Sequence, residues 1–179
     1  MQKWLYTARY RLGQVRQHMG FVPPLAVEEY AEVARWLPAA ATALFMTMPL
    51  ADQRHSLRVC RGLQERGCVE KDMLAAALLH DVGKAEGRVP FWSRPLVVLG
   101  KRLAPGLLGR LVGYPVSVDA QSFALARWRR SLNYAWYHAE IGAQLAAAAG
   151  LSERAVLYIR THHQPYGPAA ELHEVDEVS

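Results

Sequence analysis

The chain has 179 residues, 51% of them hydrophobic and 21% charged, which is enough apolar material for one real core in an ordinary globular balance. The expected organisation is a single domain over residues 1–179. A formal charge of +5 favours an anionic partner but does not separate phosphate substrates, nucleic acid and membrane surfaces.

In chain order, the opening MQKWLYTARYRLGQVRQHMG breaks its apolar residues with Arg and Lys every few positions. It lacks the apolar run and small-residue cleavage site of a secretory signal, so a cytoplasmic protein is expected. Pro23 and Pro24 precede a helix over Ala26–Leu37, with Val27, Tyr30, Val33, Ala34 and Leu37 as its stripe and Pro38 as its stop. A second helix runs over Ala39–Met48. The stretch Leu37–Ala51 lies within the longest run without a charged side chain, yet that run is shorter than a bilayer crossing and carries Pro38 and Pro49, so no transmembrane helix is expected.

Pro49 opens a third helix that ends near Gly67, with Ser56, Val59, Cys60 and Leu63 inward and His55 on the edge of that stripe. Cys60 and Cys68 are the only cysteines, too few for a disulfide framework and not spaced as a ligand pair; they read as core thiols. Glu70–Asp81 is apolar nearly all round, the mark of a central buried helix, with Gly83 as its stop. Residues 90–115 are apolar but studded with Arg94, Lys101, Arg102 and Arg110. They read first as core helices with a solvated basic face, and otherwise as a lid, a homodimer surface or a peripheral membrane contact. Tyr134–Ala149 forms a helix stopped at Gly150, with His138, Ile141, Gly142, Leu145 and Ala149 on one face. Ser152 caps the next helix, which places Ala155, Val156, Ile159, His162 and His163 on one broad face. No strand pattern emerges, and the fold class is all-α.

Five of the seven histidines, His55, His80, His138, His162 and His163, fall on the inward edge or the end of apolar helices. A lone histidine there is ordinarily a hydrogen-bonded core residue; five together point elsewhere. Asp81 ends a helix built of Ala and Leu, where an unpaired carboxylate costs on the order of several kcal/mol unless a cation compensates it. Imidazole with carboxylate suits a divalent transition metal such as Mn, Fe, Co, Ni or Zn, one ion or two.

The ordered strings H55-S-L-R-V, L-L-H80-D81-V-G-K84, H138-A-E-I-G-A, I-R-T-H162-H163 and L-H-E-V-D176 resemble the HD superfamily of metal-dependent phosphohydrolases, in its HDIG-type form. The resemblance runs from about residue 49 to 179 and implies a compact helical bundle over that span, with helices of 1–48 packed on it. It implies His55, His80, Asp81 and Asp176 as metal ligands, with Asp81 bridging when a second ion binds. His138 and one of His162 or His163 match the extra ligands of the two-metal branch; His162 is the choice on the pattern, and His163 then contacts substrate or a neighbour. Asp81 and Lys84 are the catalytic candidates, Lys84 by adding positive charge near the phosphate. Arg129, in the basic cluster Arg127–Arg130, is the candidate for gripping a phosphate bidentately. The Gly-Tyr-Pro signature of the branch that hydrolyses cyclic dinucleotides does not follow His163, where the chain reads Q-P-Y-G-P. Asp176 lies close to the end of the sequence, where a solvated tail carboxylate is the plain alternative, and His173 reads as exposed.

The expected function is hydrolysis of a phosphate ester or anhydride in a small phosphorylated substrate, a nucleotide or dinucleoside polyphosphate. The alternative is a non-catalytic regulatory or ligand-sensing domain on the same fold. Specific nucleic-acid binding is not expected, since no helix-turn-helix or aromatic RNA-binding motif is present.

Overall fold

A computed structural model describes residues 22–84 and 127–179, together with Gly106. The readings placed on residues 90–115 otherwise lie outside the described residues, as do residues 1–21 and the side chain of Arg129.

All regular structure among the described residues is helical: α1 (Val27–Trp36), α2 (Ala39–Met46), α3 (Leu50–Glu65), α4 (Lys71–Leu79), a 3₁₀ turn (Val82–Lys84), α5 (Arg127–Ala148), α6 (Glu153–Thr161) and α7 (Ala170–Asp176). No helix among them is long and apolar enough to cross a membrane.

α4 is the centre. Every residue from Met73 to Leu79 is buried, because Ala and Leu on all faces leave no side for solvent. α3 and α6 pack on it, α1 touches it, α5 packs on α6 and on the 3₁₀ turn, and α7 closes against α3. α3 contributes Ser56, Val59, Cys60 and Leu63, all fully buried. Burial, with lesser effects from nearby charges, pushes the Cys60 thiol up to about 12, in keeping with an inert core thiol.

Two glycines end helices by the same device. Gly67 (φ 89) and Gly150 (φ 84) adopt the left-handed conformation that a side chain disfavours. At the first, the Cys68 and Gly67 amides donate to the carbonyls of Leu63 and Gln64; at the second, the Leu151 and Gly150 amides donate to those of Ala146 and Ala147. This double closure satisfies carbonyls that the helix end would otherwise leave open. Ser152 caps α6 as expected, its hydroxyl accepting from the Ala155 amide at 3.1 Å.

Several expectations are corrected. In α1, Val27 is 79% exposed and Ala34 also faces solvent; the helix meets the core along one edge, through Tyr30, Val33 and Leu37. α4 stops at Leu79, and His80 and Asp81 lie in the turn beyond it, so Gly83 sits inside the 3₁₀ turn and does not stop the helix. α5 begins at Arg127, seven residues before Tyr134.

Candidate metal centre

The centre is assembled chiefly from helix ends. His80 is the C-cap of α4 with Asp81 next to it, His162 is the C-cap of α6 with His163 next to it, and Asp176 is the last residue of α7. His55 comes from α3 and His138 from the length of α5.

Three of the imidazoles are oriented identically. Nδ1 of His80 donates to the Ala77 carbonyl at 2.8 Å, Nδ1 of His138 to Ala135 at 2.9 Å, and Nδ1 of His162 to Ile159 at 2.7 Å. A carbonyl can only accept, so Nδ1 carries the proton and, in the neutral ring, Nε2 keeps its lone pair. Each ring is thereby latched to the carbonyl three residues earlier, with Nε2 facing away from its own backbone.

Those nitrogens gather around Asp81. Its Oδ1 lies 3.8 Å from His80 Nε2, 3.7 Å from His138 Nε2 and 4.0 Å from His162 Nε2. On one side, Asp176 Oδ1 is 2.8 Å from His55 Nε2 and 3.4 Å from His80 Nε2. On the other, His163 Nε2 is 2.8 Å from His138 Nε2; because His138 Nδ1 holds the proton, His163 is the donor there. His55, His80 and Asp176 form one group able to hold a metal ion, and His138, His162 and His163 form another, with donor atoms in each within 4.8 Å of one another. Ligands about 2.0–2.2 Å from a shared ion would be separated by comparable spans.

The local chemistry fits a cation. His162 Nε2 is buried with no hydrogen-bond partner, a loss of about 1–3 kcal/mol if nothing satisfies it, and His80 Nε2 and Asp81 Oδ1 are buried with only ionic neighbours out of hydrogen-bonding alignment, Asp176 Oδ1 at 3.4 Å from the first. Lys84 Nζ lies 2.6 Å from Asp81 Oδ1, so an ammonium already supplies part of the positive charge, out of hydrogen-bonding alignment. Burial disfavours the Asp81 carboxylate, yet Lys84 and the surrounding imidazoles hold its pKa well below the usual range. Burial likewise opposes ionisation of Asp176, and contacts with His55 and His80 overcome it to keep that carboxyl low. His80 is pushed down by burial but lifted to about 9 by the two carboxylates. His138 is driven low by burial and then Lys84, and His162 falls to about 3 through burial and its histidine neighbours.

His55, His80, Asp81, His138, His162 and Asp176 therefore come together, and Lys84 joins them on Asp81. Within the histidine pair, His162 and His163 both place nitrogen in the same donor group, and His163 also donates to its neighbour His138. His163 is exposed while His162 is fully buried, so His163 stands at the solvent side. The plain alternative for Asp176 fails, because α7 and His55 tie it down.

His173, expected to be exposed, is half-buried, with Nδ1 fully enclosed and unpartnered. It lies one turn before Asp176 on α7, a helix whose flanking Glu171, Glu174 and Glu177 mask it as an acidic tail. Asp52 and Gln53, three and two residues before His55 on α3, are also buried and carry no signal in the apolar pattern.

No protein-family model, curated protein or solved structure matches this chain.

Proposed function

We propose that the chain is a metal-dependent phosphohydrolase of the HD superfamily, cleaving a phosphate ester or anhydride in a small nucleotide or dinucleoside polyphosphate. The observation that carries this reading is the position of the Asp81 carboxylate between two donor groups, with three imidazole nitrogens at 3.7 to 4.0 Å. His55, His80 and Asp176 would hold one divalent ion, His138, His162 and His163 a second, and Asp81 both.

The chemistry that divalent ions supply in such a site is a lowered pKa for water, from about 15.7 toward 7, and neutralisation of phosphoryl oxygens. The chain's own residues do the rest. The carbonyl latches fix three rings before any ligand arrives, so little reorganisation is needed on binding. Lys84, one turn past Asp81, offers a positive charge that shifts from the carboxylate to a phosphate when cations take its place. His163 stands at the exposed edge, where substrate enters. The complete donor set also argues against a purely regulatory domain, which has no need of one.

The experiment is metal analysis of the purified chain with a panel of nucleotides, repeated on Asp81→Ala. Wild type should retain Mn, Fe, Co, Ni or Zn and hydrolyse at least one member of the panel, and the variant should lose both properties. A metal-free wild type, or a variant with intact activity, would refute the proposal.

A further inference from the structure

The two donor groups sit on different parts of the molecule. His55, His80 and Asp176 come from α3, α4 and α7, whereas His138, His162 and His163 come from α5 and α6. Asp81 belongs to the first part, so its distance to His138 depends on how closely α5 approaches the 3₁₀ turn. That approach is tightest around Gly83. A Cβ built on Gly83 would fall 2.1 Å from the carbonyl oxygen of His138, 2.8 Å from its carbonyl carbon and 2.9 Å from its Cα. From α5, a Cβ on Gly142 would come within 3.3 Å of the Gly83 amide nitrogen and 3.5 Å of Val82 and Ile159. The atoms Gly83 would strike are backbone atoms of the residue whose side chain faces Asp81, so no rotamer change can relieve the contact.

We infer that Gly83 is a positioning residue for the second metal: its bare backbone lets α5 come close enough for His138 and Asp81 to share an ion. This rests on the metal-centre reading above. A methyl group at position 83 must push the His138 carbonyl oxygen from 2.1 Å to 3.4 Å or more, a shift of about 1.3 Å, to reach ordinary van der Waals separation. His138 then leaves both Asp81 and His163, while the contacts among His55, His80 and Asp176 lie on the other side of Asp81 and are spared. The consequence is a selective loss of the second ion.

The test uses the full chain as wild type, Gly83→Ala, Gly142→Ala and Gly150→Ala, titrated with Mn²⁺ by calorimetry and assayed for bound metal. Gly150 has positive φ and open space around its Cβ position, so its alanine variant strains the α5–α6 turn without touching the centre. Wild type and Gly150→Ala should take two ions. In Gly83→Ala the tighter ion should bind as in wild type and the weaker one should lose roughly 10–100-fold in affinity, with a smaller loss in Gly142→Ala. In the metal-free chains, NMR should show the His138–His163 imidazole hydrogen bond in wild type and its disappearance in Gly83→Ala. Should Gly83→Ala fail to fold, Gly142→Ala decides through the same two measurements. Unchanged affinity for the second ion with an intact His138–His163 bond overturns the inference, as does an equal loss of both ions. A wild type that takes no ion refutes the metal reading instead, and the metal-free NMR comparison still decides the role of Gly83.

Discussion

The Nε2 of His55 lies 2.8 Å from Oδ1 of Asp176, a contact between residues 121 positions apart in the chain. It joins the last residue of α7 to the middle of α3 and gives one donor group its outer edge. Asp176→Asn keeps the shape and removes the charge. It should weaken the ion held with His55 and His80 by roughly 10–100-fold and leave the His138 group nearly unaffected. Calorimetric titration of variant and wild type resolves the two affinities; equal weakening of both would contradict the division of the centre into two groups.

The pH dependence of the metal-free chain follows from opposed shifts. His80 sits at about 9 against an ordinary 6.5, so between those values the folded state holds the extra proton. The stability this contributes is complete below pH 6.5 and is lost as pH rises toward 9. His162 sits at about 3 against 6.5, so the unfolded state takes up its proton first and stability falls as pH drops from 6.5 toward 3. His138, lowered in the same direction, reinforces that acid limb. Thermal unfolding without metal should therefore show its highest Tm near pH 6.5. A saturating divalent ion requires neutral imidazole and should move the maximum to higher pH; a maximum that stays put under metal would count against ligation by His80.

His162 and His163 are neighbours with different burdens. The first is fully buried and latched to Ile159, and the second is exposed. His162→Ala should remove metal affinity and also destabilise the metal-free chain by about 1–3 kcal/mol, since it empties a buried site and frees a carbonyl. His163→Ala should weaken metal binding with a stability change within about 0.5 kcal/mol. Urea unfolding in the presence of a chelator separates the two, and a larger stability loss for His163→Ala would be the contrary result.

Packing and surface charge make a further contrast. Leu78 on α4 is fully buried, and Leu78→Ala should cost about 2–5 kcal/mol with metal stoichiometry unchanged. Arg61 forks onto Glu32, with Nη2 2.6 Å from Oε2, but its side chain is 42% exposed. Arg61→Ala should cost less than about 1 kcal/mol. Chemical denaturation of both variants in chelator checks the ranking.

The helices from Val27 to Glu65 are legible because prolines mark their starts and α1 and α3 carry apolar residues at helical spacing, and α4 is legible because it is apolar nearly all round. α5 was shortened because Arg127–Arg130 supply no apolar period, although the helix runs through them. α7 was missed for a similar reason: Leu172 and Val175 are its only large apolar residues, and acids surround them. The histidines and Asp81 could be singled out by their odd placement on apolar helices, and the resemblance supplied Asp176. Their convergence was not legible from spacing, since the contacts that create it join residues such as His55 and Asp176. Nor was the role of Gly83, whose reason for lacking a side chain lies more than fifty residues away at His138.

The three carbonyl latches carry a consequence for cation choice. With His80, His138 and His162 each braced against its own helix, the rings cannot swing to suit a larger or smaller ion. If the two groups hold divalent ions, adjustment to ionic radius would fall to the unlatched donors, His55, His163 and the two carboxylates, and to how far neighbouring helices slide against one another. A cation mismatched in radius would then be felt as strain in the scaffold, and mutations remote from the histidines would retune which element such a centre prefers.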